Sequence, residues 1–336
     1  MKKILVFGVN WFGDALMSTP FFAALKAADP QAKVILAAHE RVRDVFEDNP
    51  HIDMFMLSGK KFSFFRLLGM IPMLLRERIT CAYLLRPSFS QALVCRLAGI
   101  KTVICHSNEQ GMPVPLTKSV RWNGRLHRMD AYLQLLEAQG IGIPSRAMKV
   151  YMKEDDIDAA EAIAARYRAD KKRLIILHPM ANWHLKRWPE DYFSTLAHRL
   201  SQELHATVVF TGSHHDTSLI QRIRDEIAGD HHDASGAFSI RQMAAFLRTA
   251  DLFVSGDTGI MHLAAAVGAP LIGVFGPTDS ELTGPRGDGF IKILDAKLPP
   301  SCRRPCYHSG CTEKKCMRAI TPESVFDAAK EYFDHV

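Results

Sequence analysis

The sequence predicts an α/β protein made of two doubly wound, parallel-sheet domains. Three observations predict it. Short β-branched runs alternate with helical patterns along all 336 residues. The runs are continuously apolar, as strands covered by helices on both faces must be. The alternation also starts twice, and the length suits two domains of roughly 150 residues each.

Strands are expected over 3–7, 33–37, 53–57, 80–85 and 102–105, with helices over 15–28, 91–98 and 129–139. A charged, Ala-rich helix over 157–167 follows. A second series opens at 173–177 and continues through 207–211, 252–255, 271–275 and 291–294. Its helices are expected over 192–203, 218–228, 240–249 and 260–267. Connections of a few residues imply right-handed βαβ units. The domains are placed at 1–170 and 171–320. Thr321-Pro322-Glu323 then opens a capped amphipathic helix, 321–336, that could pack back on the N-terminal domain. Two such domains facing each other would form a cleft lined by the carboxyl ends of both sheets, where open α/β folds bind ligands.

The composition, 47% hydrophobic and 23% charged, excludes a disordered chain, a collagen and a small disulfide scaffold. No uncharged apolar run reaches the roughly 18 residues of a membrane span. The N-terminal apolar run is read as a first strand and not as a signal peptide, because Asn10 and Asp14 interrupt it and no cleavage site follows. Seven cysteines suit a reducing, cytoplasmic setting. A net charge of +6, widely dispersed, argues against nucleic acid and fits an acidic substrate or an anionic membrane surface.

Three loops carry the chemistry. Gly8-Val9-Asn10-Trp11-Phe12-Gly13-Asp14 joins the first strand to the first helix but lacks the middle glycine of a dinucleotide fingerprint. Its Asp14 reads as a helix N-cap or as a general base. In the second half, the loop after the strand at 173–177 holds Asn182, His184, Lys186 and Arg187, with Trp183 and Trp188 flanking the two cations. Its two cations could neutralise phosphate, and a solvated basic loop is the plainer reading. The third stretch is Ser255-Gly256-Asp257-Thr258-Gly259-Ile260-Met261-His262. A Gly-bracketed turn opening a helix aims N–H groups at one spot and suits a phosphate. Asp257 is expected to cap or orient that turn, with Thr258 and Gly259 making the ligand contacts. His262 lies about one turn along, to stabilise a leaving phosphate or to pack.

Taken with Gly276-Pro277-Thr278 and the tail Met317-Arg318-Ala319-Ile320-Thr321-Pro322, these motifs resemble glycosyltransferase family 9, the lipopolysaccharide heptosyltransferases, nearly end to end. The type they resemble most is heptosyltransferase II. The resemblance implies a GT-B fold, an ADP-heptose donor on the C-terminal domain and a lipopolysaccharide inner-core acceptor on the N-terminal one. It implies inversion at the anomeric carbon without metal or cofactor. Asp14 maps to the base, and Lys186, Thr258 and Gly259 map to the diphosphate site. Donor contacts are then expected from Asn182, Lys186, Asp257, Thr258, Gly259 and His262, and acceptor contacts from Asn10, Trp11, Gly13 and Arg86. Many relatives carry Gly-x-Glu for the ribose, whereas this chain has Gly212-Ser213-His214-His215-Asp216. The anionic acceptor would suit Lys60, Lys61, Arg66, Arg86, Arg121, Arg125, His127 and Arg128, of which Arg86 is the strongest candidate. The enzyme is expected at the cytoplasmic face of the inner membrane, in peripheral contact with it. The apolar segment 62–76 with basic ends reads as buried helix or as a membrane-apposed surface.

Cys302, Cys306, Cys311 and Cys316 fall close together with His308 between them. They lack the paired C-x-x-C of most zinc ribbons, so a reduced loop is the reading and a structural metal site its alternative. Two other classes compete with the transferase. A nucleotide-sugar epimerase needs carboxylates around the sugar that the sequence does not show. A non-catalytic nucleotide binder has no use for Asp14.

Overall fold

The computed structural model describes residues 1–57, 64–108, 113–168, 173–229, 231–298, 300, 302–308 and 310–336. Lys60, Lys61, the start of the apolar segment at Phe62 and the side chain of Arg66 lie outside the described residues. The chain divides into two compact units, Met1–Tyr151 and Met152–Val336.

The first unit holds β1 (Lys3–Phe7), β2 (Lys33–Ala38), β3 (Met54–Leu57), β4 (Cys81–Leu84), β5 (Thr102–His106) and β6 (Lys118–Val120). They form one sheet in the order β3-β2-β1-β4-β5-β6, parallel throughout. The second unit holds β7 (Arg173–His178), β8 (Ala206–Phe210), β9 (His231–Asp233), β10 (Leu252–Gly256), β11 (Leu271–Phe275) and β12 (Ile291–Asp295). Its sheet runs β12-β11-β10-β7-β8-β9, again parallel. Counted from its own first strand, this is the order of the first unit. In each sheet the strand order reverses once, between β1 and β4 and between β7 and β10. Such a reversal opens a crevice at the carboxyl strand ends. The continuous apolar runs account for the burial, since Leu5, Val6, Ile175 and Leu177 are fully enclosed.

The structure departs from the sequence reading at particular points. The edge strands β6 and β9 were not anticipated. Each is three residues long and polar, Lys-Ser-Val and His-His-Asp, so neither shows an apolar run. The first helix divides into Phe12–Met17 and Thr19–Ala28. Pro20 has no N–H to offer the Leu16 carbonyl, and the Thr19 hydroxyl takes that oxygen at 2.8 Å instead. The units divide ahead of the helix Glu154–Tyr167, not after it. That helix packs on the helix Ile240–Arg248, where Arg241 meets Asp156 at 3.2 Å. The last helix, Pro322–Asp334, lays Val325, Phe326 and Ala329 into the core of the second unit, beside Trp188 and Phe193. The Trp188 indole fixes it by donating to the Ile320 carbonyl at 2.8 Å, one residue before the cap Thr321.

The described part of the segment 62–76 forms two short helices, Phe64–Gly69 and Ile71–Glu77. Leu67, Met70 and Leu74 are buried in the core of the first unit, and Leu75 is half exposed. Among the described residues no helix is long and apolar enough to cross a membrane.

Candidate active-site residues

In the second unit, the switch-point strands β7 and β10 deliver two loops that touch. After β7 the chain makes a single tight turn, His184–Lys186. The Lys186 ammonium donates to Asp257 Oδ2 at 2.6 Å, and Asp257, just past β10, is 6% exposed. Gly256 permits the approach, because a Cβ there would stand 2.8 Å from the Lys186 carbonyl oxygen. The helix Gly259–Ala266 starts two residues beyond Asp257. Its N-cap is Thr258, whose Oγ1 accepts from the Met261 N–H at 3.2 Å.

Of the two roles expected for Asp257, capping the turn or orienting it, the structure excludes the cap. Thr258 stands at the cap position and satisfies the third helical amide, so the carboxylate one residue earlier is left for Lys186. An ammonium carries three protons. With one held by Asp257, the others remain for an anion at the start of the helix, where Gly259 supplies a bare backbone and the dipole adds partial positive charge.

Of the remaining candidates here, Asn182 is exposed and His262 is buried on the helix Gly259–Ala266. Arg187, a second expected phosphate cation, is turned into its own loop, where Nε donates to the Ala181 carbonyl at 2.8 Å. Trp188 belongs to the core. Asp216, a substitute for the missing ribose glutamate, has one oxygen taken by the Ser213 N–H and hydroxyl, at 2.8 and 2.6 Å. Beneath the site, His178 at the end of β7 is buried against Thr211, Nδ1 to Oγ1 3.1 Å. Burial lowers its pKa to about 4, so it is a neutral core histidine.

In the first unit, β1 and β4 flank the equivalent crevice. Gly8 lies where a Cβ would meet the end of the Leu36 side chain at 2.8 Å and Ala38 Cβ at 3.3 Å. Asn10 follows, and its side-chain oxygen is buried without a hydrogen-bond partner. Trp11 is half exposed beneath the Arg41 guanidinium, 5.6 Å from the ring centre. Trp11 also holds the N-cap position of the helix Phe12–Met17, so Gly13 and Asp14 fall inside the first turn. Asp14 is therefore not the cap, and its carboxylate sits at the sheet end, 3.9 Å from Arg128 Nε.

Arg128 opens the helix Arg128–Glu137, capped by His127, and its guanidinium lies 5.8 Å over Trp122. A cation at a helix start opposes the dipole. The nearby carboxylate offsets that cost. Arg86, exposed just past β4, shares this neighbourhood, since Asp14, Arg128 and Arg86 all act on the buried Tyr132 phenol. Sequence reasoning missed Tyr132. Its only signal is the four-residue spacing from Arg128, which puts both on one helix face.

The cysteine-rich stretch is tied to the end of β11. Arg304 donates to the Gly276 carbonyl at 2.8 Å and pairs with Asp295 at 2.7 Å. Cys302, Cys306, Cys311 and Cys316 are half-buried free thiols. Among the described residues no three His, Cys, Asp or Glu side chains are placed to hold a metal ion.

Known proteins agree with this frame. The family model for glycosyltransferase family 9 (heptosyltransferase) matches residues 70–316. Lipopolysaccharide heptosyltransferase 2 of Escherichia coli K12 is 28% identical over 305 residues, 84% of this chain and 85% of that one. Among solved structures, a glycosyl transferase family 9 protein from Veillonella parvula superposes with a TM-score of 0.83. It is 22% identical, covering 100% of this chain and 98% of that one. ADP-heptose lipopolysaccharide heptosyltransferase II of E. coli gives 0.77 at 23% identity, covering 99% and 98%. Two parallel six-stranded sheets of one topology thus define a GT-B fold. The chain belongs to glycosyltransferase family 9, the heptosyltransferases.

Proposed function

We propose that this enzyme transfers a heptose from ADP-heptose to the inner core of lipopolysaccharide, with inversion and without a metal ion. The observation that carries this reading is the complementary chemistry at two equivalent switch points. One has a carboxylate after its first strand, and the other has a cation beside a helix N-terminus.

An inverting transfer is a single in-line displacement. A base must take the acceptor proton, and the leaving diphosphate must be stabilised. Asp14 is the base. Lys186, held by Asp257, and the first amides of the helix Gly259–Ala266 receive the diphosphate. Asn182 and His262 complete the donor contacts. Asn10, Trp11, Gly13 and Arg86 contact the acceptor, and the buried, unpartnered Asn10 oxygen suits a sugar hydroxyl as donor. The heptosyltransferase 2 relatives support the choice of acceptor. Peripheral work at the cytoplasmic face of the inner membrane follows from a lipid-anchored acceptor, and half-exposed Leu75 beside Arg76 fits that surface.

The test is direct. Purified enzyme, ADP-heptose and lipopolysaccharide truncated in the inner core should give ADP and a heptose-extended product of inverted configuration. Turnover of UDP- or GDP-sugars in preference to ADP-heptose would overturn the donor assignment.

A further inference from the structure

We propose that Tyr132 is a positioning residue for Asp14, its buried hydroxyl donating to the carboxylate and holding it toward the acceptor. This rests on the reading of Asp14 as the base.

Tyr132 lies on the helix Arg128–Glu137 with its ring enclosed and its hydroxyl out of contact with water. A buried phenol normally finds a partner, because an unmade hydrogen bond there is costly. No acceptor meets full hydrogen-bond geometry with this one, yet Asp14 lies near enough to act on it as a hydrogen-bonding neighbour as well as a charge. The Asp14 carboxylate is the strongest charge acting on it, ahead of Arg128 and Arg86. Burial and that carboxylate push the phenol well above its ordinary pKa, so the proton stays on oxygen and the group can only donate to an anion.

Arg128, one turn earlier on the same face, stands 3.9 Å from Asp14. The remaining titratable groups here are His127, capping the helix, and His106 at the end of β5. His106 bonds the Ala131 carbonyl at 2.6 Å and is kept neutral by burial. A single helix thus brings a cation and a neutral donor to the carboxylate, the cation at 3.9 Å. Catalytic hydrogen bonds in unliganded enzymes are commonly loose and tighten with substrate. A hydroxyl with no competing partner is suited to that.

The experiment is Tyr132→Phe, which keeps the ring and removes the donor. The rate of heptose transfer should fall about tenfold to a hundredfold, as loss of a hydrogen bond to a charged group implies. ADP affinity should not change. The acid limb of kcat/KM against pH should move upward, because a carboxylate without its donor binds protons more readily. That limb does not depend on how much enzyme is folded, so a partly destabilised variant still reports. An unmoved limb, or a rate loss matched by weaker ADP binding, overturns the proposal. Asp14→Asn separates the two layers. If it keeps near-normal turnover, the base assignment fails and Tyr132 falls with it. If it is inactive while Tyr132→Phe has a wild-type limb, only the positioning role fails.

Discussion

The two switch points share one topology but differ in how far their polar groups are satisfied. After β7 and β10, Lys186 already rests on Asp257 at 2.6 Å, and Thr258 already caps its helix. After β1 and β4, Asp14 and Arg128 stand 3.9 Å apart, and the Asn10 oxygen and Tyr132 hydroxyl are buried without hydrogen-bond partners. A diphosphate is the same on every donor, and a site assembled in advance binds it without reorganisation. An acceptor hydroxyl must be oriented and deprotonated, and loose groups can close around it. On the proposed reading, the difference would separate a binding half from a reacting half.

The largest expected effect tests that separation. Asp14→Ala should lower turnover by about 10²- to 10⁴-fold, the usual span for a general base. ADP affinity, measured by calorimetry, should stay at the wild-type value. Turnover within a few-fold of wild type would reduce Asp14 to a charge in the first turn of its helix.

Next comes Lys186→Ala. Loss of a charge-assisted contact should weaken ADP about tenfold to a hundredfold and adenosine much less. It also leaves Asp257 buried and unpaired, so some loss of stability should accompany it. Asp257→Asn sharpens the point, because it keeps the shape and frees the ammonium. If ADP binds at least as tightly to Asp257→Asn as to wild type, Asp257 does not position Lys186. Equal losses for ADP and adenosine in Lys186→Ala would place the lysine away from the diphosphate.

How far the sequence reveals these sites follows from the range of the forces involved. The strands were legible because burial on both faces writes a continuous apolar run. The loops at the carboxyl ends could be found because glycines and helix starts mark them locally. Without the family resemblance Arg187 and Lys186 could not be told apart, since only the fold turns one into its loop and the other toward β10. Asp257 was read as capping or orienting its own turn because its partner lies 71 residues away. Tyr132 escaped for the same reason. Its meaning depends on Asp14, on another helix.

A smaller effect belongs to the second unit. His178 has a pKa of about 4 when folded and about 6.5 when unfolded. Between those values the unfolded chain binds a proton that the folded chain excludes. Stability is therefore full above pH of about 6.5 and falls as pH drops toward 4, by at most on the order of 3 kcal/mol. His106 in the first unit is lowered in the same direction. Urea unfolding at pH 7.5 and pH 5 should show the loss, and His178→Gln should flatten the slope whatever it does to absolute stability. A variant with the wild-type slope would assign the acid sensitivity to other groups.

The smallest expected effect is no change at all, and it tests whether the binding half does its work with protein charge. On the proposed reading Lys186 would bring a full positive charge to the diphosphate, and the helix Gly259–Ala266 fixed dipoles. The chain's one D-x-D spelling, at Asp156 and Asp158, opens the helix Glu154–Tyr167. There Asp156 accepts from the Lys153 N–H at 3.1 Å and pairs with Arg241, so its carboxylate is engaged as helix N-terminal charge. Transfer measured in excess EDTA should therefore run at the untreated rate. Immediate arrest with rescue by magnesium or manganese would mean that an ion, not Lys186, holds the leaving group. Slow decay with protection by zinc would have another meaning. It would show that Cys302, Cys306, Cys311 and Cys316 gather around a metal that stabilises the end of β11, and that their spread arrangement as free thiols is the metal-free state.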